Sequence, residues 1–373
     1  MDIKASIEKI WPYLHSIPEP AFQEHKTSAY LAEVLSQSGY TVTEHVGSDT
    51  GLVGVLRSGK PGPVVALRSD MDSLQFRRDD GSSVCIHACG HDAHMAMVLT
   101  TARVLAEEGL PCGTLKILFQ PAEEIGKGAL TLLDAGALDD VDYVVGLHVM
   151  PKNLARKGQI IAQLNWTACT LIEAVVHGKA AHGSQPHLGI NAIDAGAAIV
   201  QAINALPVDP LLGGSVKTTR FLGGADSLNA ICDEVKLGFD LRSTSNAEML
   251  HLRERVRDII TQTAAVYGAT ADSHIVGTCP AAEADPSLRK VTEDSIRSVL
   301  GDAGLIPSVS VTIGEDFNFF KQERPALKTA SLGIGCDLEP TLHDPKMHFD
   351  LEALPDVVRV LATLLRRILT ERP

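Results

Sequence analysis

The sequence predicts an α/β protein: a central sheet flanked by helices, interrupted by a separate α+β insertion of ferredoxin-like order. Three observations carry that expectation. Short runs of branched apolar residues alternate with helical patterns in the first half, and the same alternation resumes from about Asp285. Between them stands a segment whose elements follow the order β-α-β-β-α-β. A chain of 373 residues also suits two domains better than one.

Element by element, residues 1–10 are charged and periodic, which reads as an amphipathic helix start and not as a signal peptide. Residues 64–67, 115–119 and 143–147 are short runs typical of buried strands. Residues 93–107 carry Met97, Val98, Thr101, Val104 and Leu105 at helical spacing. In the insertion, strands are expected at 171–176, 216–221, 234–241 and 270–276, with helices at 191–206 and 247–266. Residues 354–369 complete the chain as an amphipathic helix. The expected domains are therefore 1–166 with 277–373, and 167–276.

Composition excludes some partners. Formal charge is 33 minus 46, or −13, and Arg77-Arg78 is followed at once by Asp79-Asp80. That balance argues against nucleic acid and against an anionic membrane surface, which both reward clustered lysine and arginine. No run approaches the ~20 apolar residues that span a bilayer. Seven irregularly spaced cysteines make a disulfide framework a poor reading. The expectation is a cytoplasmic protein in which a motif cysteine acts as ligand or nucleophile.

The densest chemical signal is His87-Ala88-Cys89-Gly90-His91-Asp92-Ala93-His94, where a loop enters a helix. A thiolate and an imidazole two residues apart can serve one site when glycine lets the backbone turn between them. Asp92 is placed to accept the second ring N–H of a ligating histidine. Glu123-Glu124 follows the 115–119 strand, and open α/β sheets build sites at the carboxyl ends of strands. Of two such carboxylates, one can bind metal and the other move protons. His148 ends the next strand, and His343 precedes a proline turn, with His348 competing for its role. Together Cys89, His91, Glu124, His148 and His343 offer more donors than one closed tetrahedral site needs, which suits two metals. Two other readings stay open: a thiol hydrolase with Cys89 as nucleophile, and a non-catalytic metal-binding protein.

With these segments in view, the chain resembles the N-acyl-amino-acid amidohydrolases, which include hippurate and indole-acetyl-amino-acid hydrolases among the aminoacylase-type dinuclear metallopeptidases. The resemblance runs through His15-Ser16-Ile17-Pro18-Glu19-Pro20, Leu67-Arg68-Ser69-Asp70-Met71-Asp72, Cys89-Gly90-His91-Asp92 and Gln120-Pro121-Ala122-Glu123-Glu124. It continues through Gly146-Leu147-His148, Gly178 to Pro186, Gly314-Glu315-Asp316-Phe317 and Leu342-His343-Asp344-Pro345. It implies a metal-dependent amidohydrolase acting on a small-molecule amide such as an N-acyl amino acid. Cys89, His91, Glu124, His148 and His343 would be the ligands of two divalent ions, zinc or manganese first, cobalt or nickel after them. Glu123 would be the general base and Asp72 would orient a metal-site group. His182 would contact the scissile carbonyl, and Asn229 and Arg242 the substrate's carboxylate. The insertion would be a lid that also pairs two copies into a homodimer. Two departures bear on the pocket: Gln75 follows Leu74 where relatives carry proline, ahead of a shortened, charged stretch to Val84, and Cys232 also replaces a proline.

Overall fold

The computed structural model describes residues 1–209, 213–224 and 227–373, which form two compact units. The first comprises Met1–Asn165, Glu283–Ser310 and Asp316–Pro373; the second comprises Trp166–Ala282 and Val311–Glu315.

The first unit is built on an eight-stranded mixed sheet. Its order is Thr41–Glu44, Leu52–Arg57, Thr114–Gln120, Val64–Asp70, Tyr143–Pro151, Lys328–Leu338, Ile160–Ile161 and Leu305–Ile306. The four central strands, from Thr114–Gln120 to Lys328–Leu338, run parallel, so their carboxyl ends meet at one edge of the sheet. Parallel strands are buried on both faces, which is why they read as near-continuous apolar runs. Helix His91–Glu108 is buried along most of its length, and Leu67, Met97, Leu105, Ile117 and Val145 join one core. Helix Leu354–Glu371 turns Val357, Leu361, Leu365 and Ile368 into that core and leaves Arg359 outside. Among the described residues no helix is long and apolar enough to cross a membrane.

The second unit has a four-stranded antiparallel sheet ordered Ser215–Gly223, Glu234–Ser243, Ala168–His177 and Thr270–Cys279. Helices Ala192–Asn204 and Asn246–Val266 give Ile199, Ile203, Leu252, Val256 and Ile260 to a separate core. The β-α-β-β-α-β order is thus present, with strand Thr270–Cys279 running three residues past the expected end because it stays paired as far as Cys169.

The two departures from the family pattern have local structural accounts. Leu74–Arg77 and Ser83–Ile86 form an antiparallel hairpin that encloses the charged stretch. Cys232 is buried, and its sulfur accepts from the Gly224 amide at 3.2 Å and donates to the Glu234 carbonyl at 3.0 Å. A thiol there does hydrogen-bonding work that a proline ring could not.

Candidate metal centre

The carboxyl ends of the parallel strands deliver the chemistry. Asp72 lies two residues beyond Val64–Asp70, and Glu123-Glu124 lie three and four beyond Thr114–Gln120. His148 is within Tyr143–Pro151, and His343 follows Lys328–Leu338. Gly90 makes the turn into helix His91–Glu108: its φ is +84°, and a Cβ would meet Val149 Cγ2 at 2.4 Å. Ala122 and His343 also hold positive φ, 56° and 64°. That conformation costs a non-glycine residue ~1–2 kcal/mol and persists only where the surroundings hold it. Here the Ala122 amide is held by Glu24 Oε1 at 3.0 Å, and the His343 amide by the Ala88 carbonyl at 2.7 Å.

The donor atoms converge. Cys89 Sγ lies 3.4 Å from His148 Nε2 and 3.4 Å from His343 Nε2. Glu124 reaches His343 Nε2 at 3.5 Å through Oε2 and His91 Nε2 at 3.8 Å through Oε1. Glu123 Oε2 is 4.0 Å from His91 Nε2. These residues alone make three compact donor groups: Cys89 with His91 and His148, Cys89 with Glu124 and His343, and His91 with Glu123 and Glu124. Cys89 belongs to the first two, so one sulfur is common to two groups that could hold a cation.

The imidazoles are oriented to present Nε2. His91 Nδ1 donates to the Asp72 carbonyl at 2.8 Å, and His148 Nδ1 to the Val149 carbonyl at 2.7 Å. His91 Nε2 and Glu124 Oε1 are buried without any hydrogen-bond partner. An orphaned buried polar atom is costly, and a metal ligand is a standard reason for one. The donor set fits a cation on electrostatic grounds too. Burial lowers the His91 pKa, but the carboxylates of Asp70, Asp72 and Glu124 outweigh it and raise it to about 10. Burial, against the pull of His91, raises Glu124 to about 7. Burial and the neighbouring His94 hold His148 well below the usual imidazole range, which keeps its lone pair available.

Asp72 fixes several parts of this geometry at once. Its carboxylate accepts from the backbone amides of both Glu123 and Glu124 at 3.0 Å, while its carbonyl holds His91. Asp92 does not do what its position suggests. It turns back to His15 Nδ1 at 2.7 Å and to the Ala93 amide at 2.9 Å, as an acid in a helix's first turn readily does. His94 forms a compact group with Asp70 and His91, but both of its ring nitrogens are already engaged: Nδ1 meets Asp70 Oδ1 at 2.7 Å and Nε2 accepts from the Val149 amide at 2.9 Å. His348 faces the Lys346 carbonyl at 3.1 Å and joins none of the donor groups. His87 is buried without a partner for either ring nitrogen, and burial takes its pKa down to about 4.

A buried network lies beneath the donors. The fully buried Arg68 donates to Asp70 Oδ2 at 2.7 Å, Asp316 Oδ1 at 2.9 Å and Gln120 Oε1 at 2.9 Å. Gln120 in turn donates to both Asp316 oxygens, at 2.8 and 2.9 Å. Burial raises the Asp70 pKa, but His91, His94 and Arg68 together bring it well below the usual range. Glu24 is a comparable support, accepting from Thr50 Oγ1 at 2.6 Å besides holding Ala122.

The second unit holds the remaining candidates in two places. His182 stands opposite Ala230 in the short Ala181–His182 and Ala230–Ile231 ladder, and the Asn229 carbonyl accepts from the Gly183 amide at 2.6 Å. Arg242 is at the far end of Glu234–Ser243, eight residues from Glu234, or roughly 26 Å at strand rise. Its Nε and Nη2 grip Asp240 at 2.7 and 3.0 Å, and Nη1 reaches the Thr312 carbonyl at 3.3 Å. His182 and Asn229 are therefore together, and Arg242 is apart from both.

Residues 66–367 match the model of peptidase family M20/M25/M40. The chain is 33% identical to thermostable carboxypeptidase 1 of Saccharolobus solfataricus over 90% of its own length and 88% of the relative's. It is 31% identical to IAA-amino acid hydrolase ILR1-like 6 of Arabidopsis thaliana, covering 100% of this chain and 82% of that one. The crystal structure of a dinuclear metal-binding peptidase of the M20 family from Bacillus subtilis superposes with a TM-score of 0.83 at 26% identity, over 98% of each chain.

Proposed function

The chain belongs to peptidase family M20/M25/M40, a family of peptide- and amide-bond hydrolases, and on that premise we propose that it hydrolyses N-acyl amino acids at a two-metal centre. Cys89, His91, Glu124, His148 and His343 would hold the ions. The observation that carries this reading is the pair of donor groups sharing Cys89, with the orphaned His91 Nε2 and Glu124 Oε1 pointing among them. Mixed sulfur, nitrogen and oxygen donors favour zinc, with manganese next and cobalt or nickel acceptable. When bound, such ions supply Lewis acidity and bring the pKa of water toward ~7.

The chain's own residues do the rest. Glu124 serves as ligand, being the more buried carboxylate and in reach of His91 and His343. Glu123, its amide pinned by Asp72, is the base. It takes the proton of the attacking water and returns it to the leaving amine. His182 donates to the oxygen of the carbonyl under attack. Arg242 and Asn229 bind the substrate's carboxylate end, Arg242 through guanidinium hydrogens left over from Asp240.

One lid cannot bring both sets to one small ligand, because they sit at opposite ends of a ten-residue strand. A second copy would supply one of them, paired through the edge strand Ser215–Gly223. The test compares an N-acyl amino acid with its neutral carboxamide in the wild type, Arg242→Ala, and chains carrying His182→Ala co-expressed with Arg242→Ala chains. Losing the carboxylate contact should cost on the order of 2–5 kcal/mol, or at least ~30-fold in kcat/KM. Mixed dimers should recover part of the activity that both single variants lack. Equal efficiency on both compounds in the wild type would remove carboxylate recognition, and no recovery on mixing would remove the shared site.

A further inference from the structure

The end of the second unit's sheet that carries Arg242 also holds a pair of thiols. Cys169 and Cys279 stand directly opposite each other on the antiparallel strands Ala168–His177 and Thr270–Cys279. Residues so placed have Cα atoms ~4.5–5.5 Å apart, within the ~4.4–6.8 Å that a disulfide bridges. Both the side chain and the backbone of Cys279 favour the thiolate form of Cys169. Neither is disulfide-bonded, and both are partly accessible. A Cβ on Gly314 would come within 3.1 Å of Cys169 Sγ and 3.2 Å of Cys279 Cβ, so the absent side chain leaves the pair its space.

One guanidinium group lies on the pair's face of the sheet. Arg242 is the cross-strand neighbour of Cys169 on its other side. Arg253 donates to the hydroxyls of Thr170 and Thr278, whose side chains alternate to the opposite face, so it braces the strand ends behind the pair. The hydrogen bond from Cys279, aided by Arg242 and opposed by burial, lowers the Cys169 thiol to about 6. A thiolate beside a cation and a second thiol is the arrangement that reacts with oxidants.

We propose that Cys169 and Cys279 are a redox dithiol, closed to an intrachain disulfide by hydrogen peroxide and reopened by a reducing thiol. The Cys169 thiolate attacks one peroxide oxygen, the O–O bond breaks, and hydroxide leaves and takes up a proton to become water. Cys169 is then a sulfenic acid. The Cys279 sulfur attacks it, the S–S bond forms, the S–O bond breaks, and a second water departs with the Cys279 proton. Two thiols and one peroxide thus give one disulfide and two waters, the sulfurs losing the two electrons that the peroxide gains. Nothing in this step depends on which amide the metal centre cleaves.

The test treats the metal-loaded protein at pH 7 with a small excess of hydrogen peroxide, alkylates the remaining thiols, and maps peptides by mass. A Cys169–Cys279 crosslink about 2 Da lighter than the two thiols should form at least ~10-fold faster than oxidation of Cys85 or Cys112. Dithiothreitol should restore both thiols. In Cys279→Ser, and equally in Cys279→Ala, Cys169 should instead accumulate as a sulfenic acid that dimedone traps. The proposal is overturned if both thiols stay alkylatable after Cys85 and Cys112 have oxidised, or if either crosslinks to a different cysteine.

Discussion

Glu123→Gln should lower turnover by about 10²–10⁴-fold while leaving the bound metal unchanged. Glutamine keeps the shape of the side chain, and the backbone contact between the Glu123 amide and Asp72 does not involve it. What it lacks is the ability to accept a proton from water and pass it on. The position is a stringent one, because Glu123 also falls within 4.0 Å of His91 and shares a donor group with Glu124. Steady-state kinetics alongside elemental analysis separates the two roles. A fall of only a few-fold would assign the base elsewhere, and a parallel loss of metal would make Glu123 a ligand.

Arg68→Met should destabilise the fold by about 3–5 kcal/mol, the usual cost of stranding buried charge. Methionine fills similar apolar volume, but it leaves Asp70 and Asp316 buried without their shared cation. Denaturant unfolding measures the change. Arg68→Lys should recover part of it, since a point charge can meet one acid but cannot make the three-way fork to Asp70, Asp316 and Gln120. A loss below about 1 kcal/mol in Arg68→Met would show that the acids find other partners and that the network is not what braces the strand ends.

The strands and long helices were legible because burial writes a period into the sequence: both-face burial for the parallel strands, a one-sided stripe for Leu354–Glu371. The donor residues were legible because their types are rare together. The supports were not. Arg68 within an apolar run reads as a charge seeking solvent, and only the distant Asp316 and Gln120 make its burial tolerable. Glu24 acts through a backbone amide, which carries no residue signature, and Asp72, named only through the resemblance, also works through backbone amides. Asp92 was misread because adjacency to His91 looked like contact, whereas the helix start turns its side chain to His15. The separation of Asn229 from Arg242 did have a signal, since Arg242 stands near the far end of the strand that begins at Glu234, shortly after Asn229.

The central claim is that Cys89 is a thiolate ligand shared by two ions, and metal content answers it most directly. After zinc loading and exhaustive dialysis, the wild type should retain about two ions per chain and lose activity reversibly to a chelator. Cys89→Ala should lose metal and activity together. Full occupancy in Cys89→Ala, or activity that survives the chelator and dies with an alkylating agent, would contradict the two-metal account and make Cys89 a nucleophile.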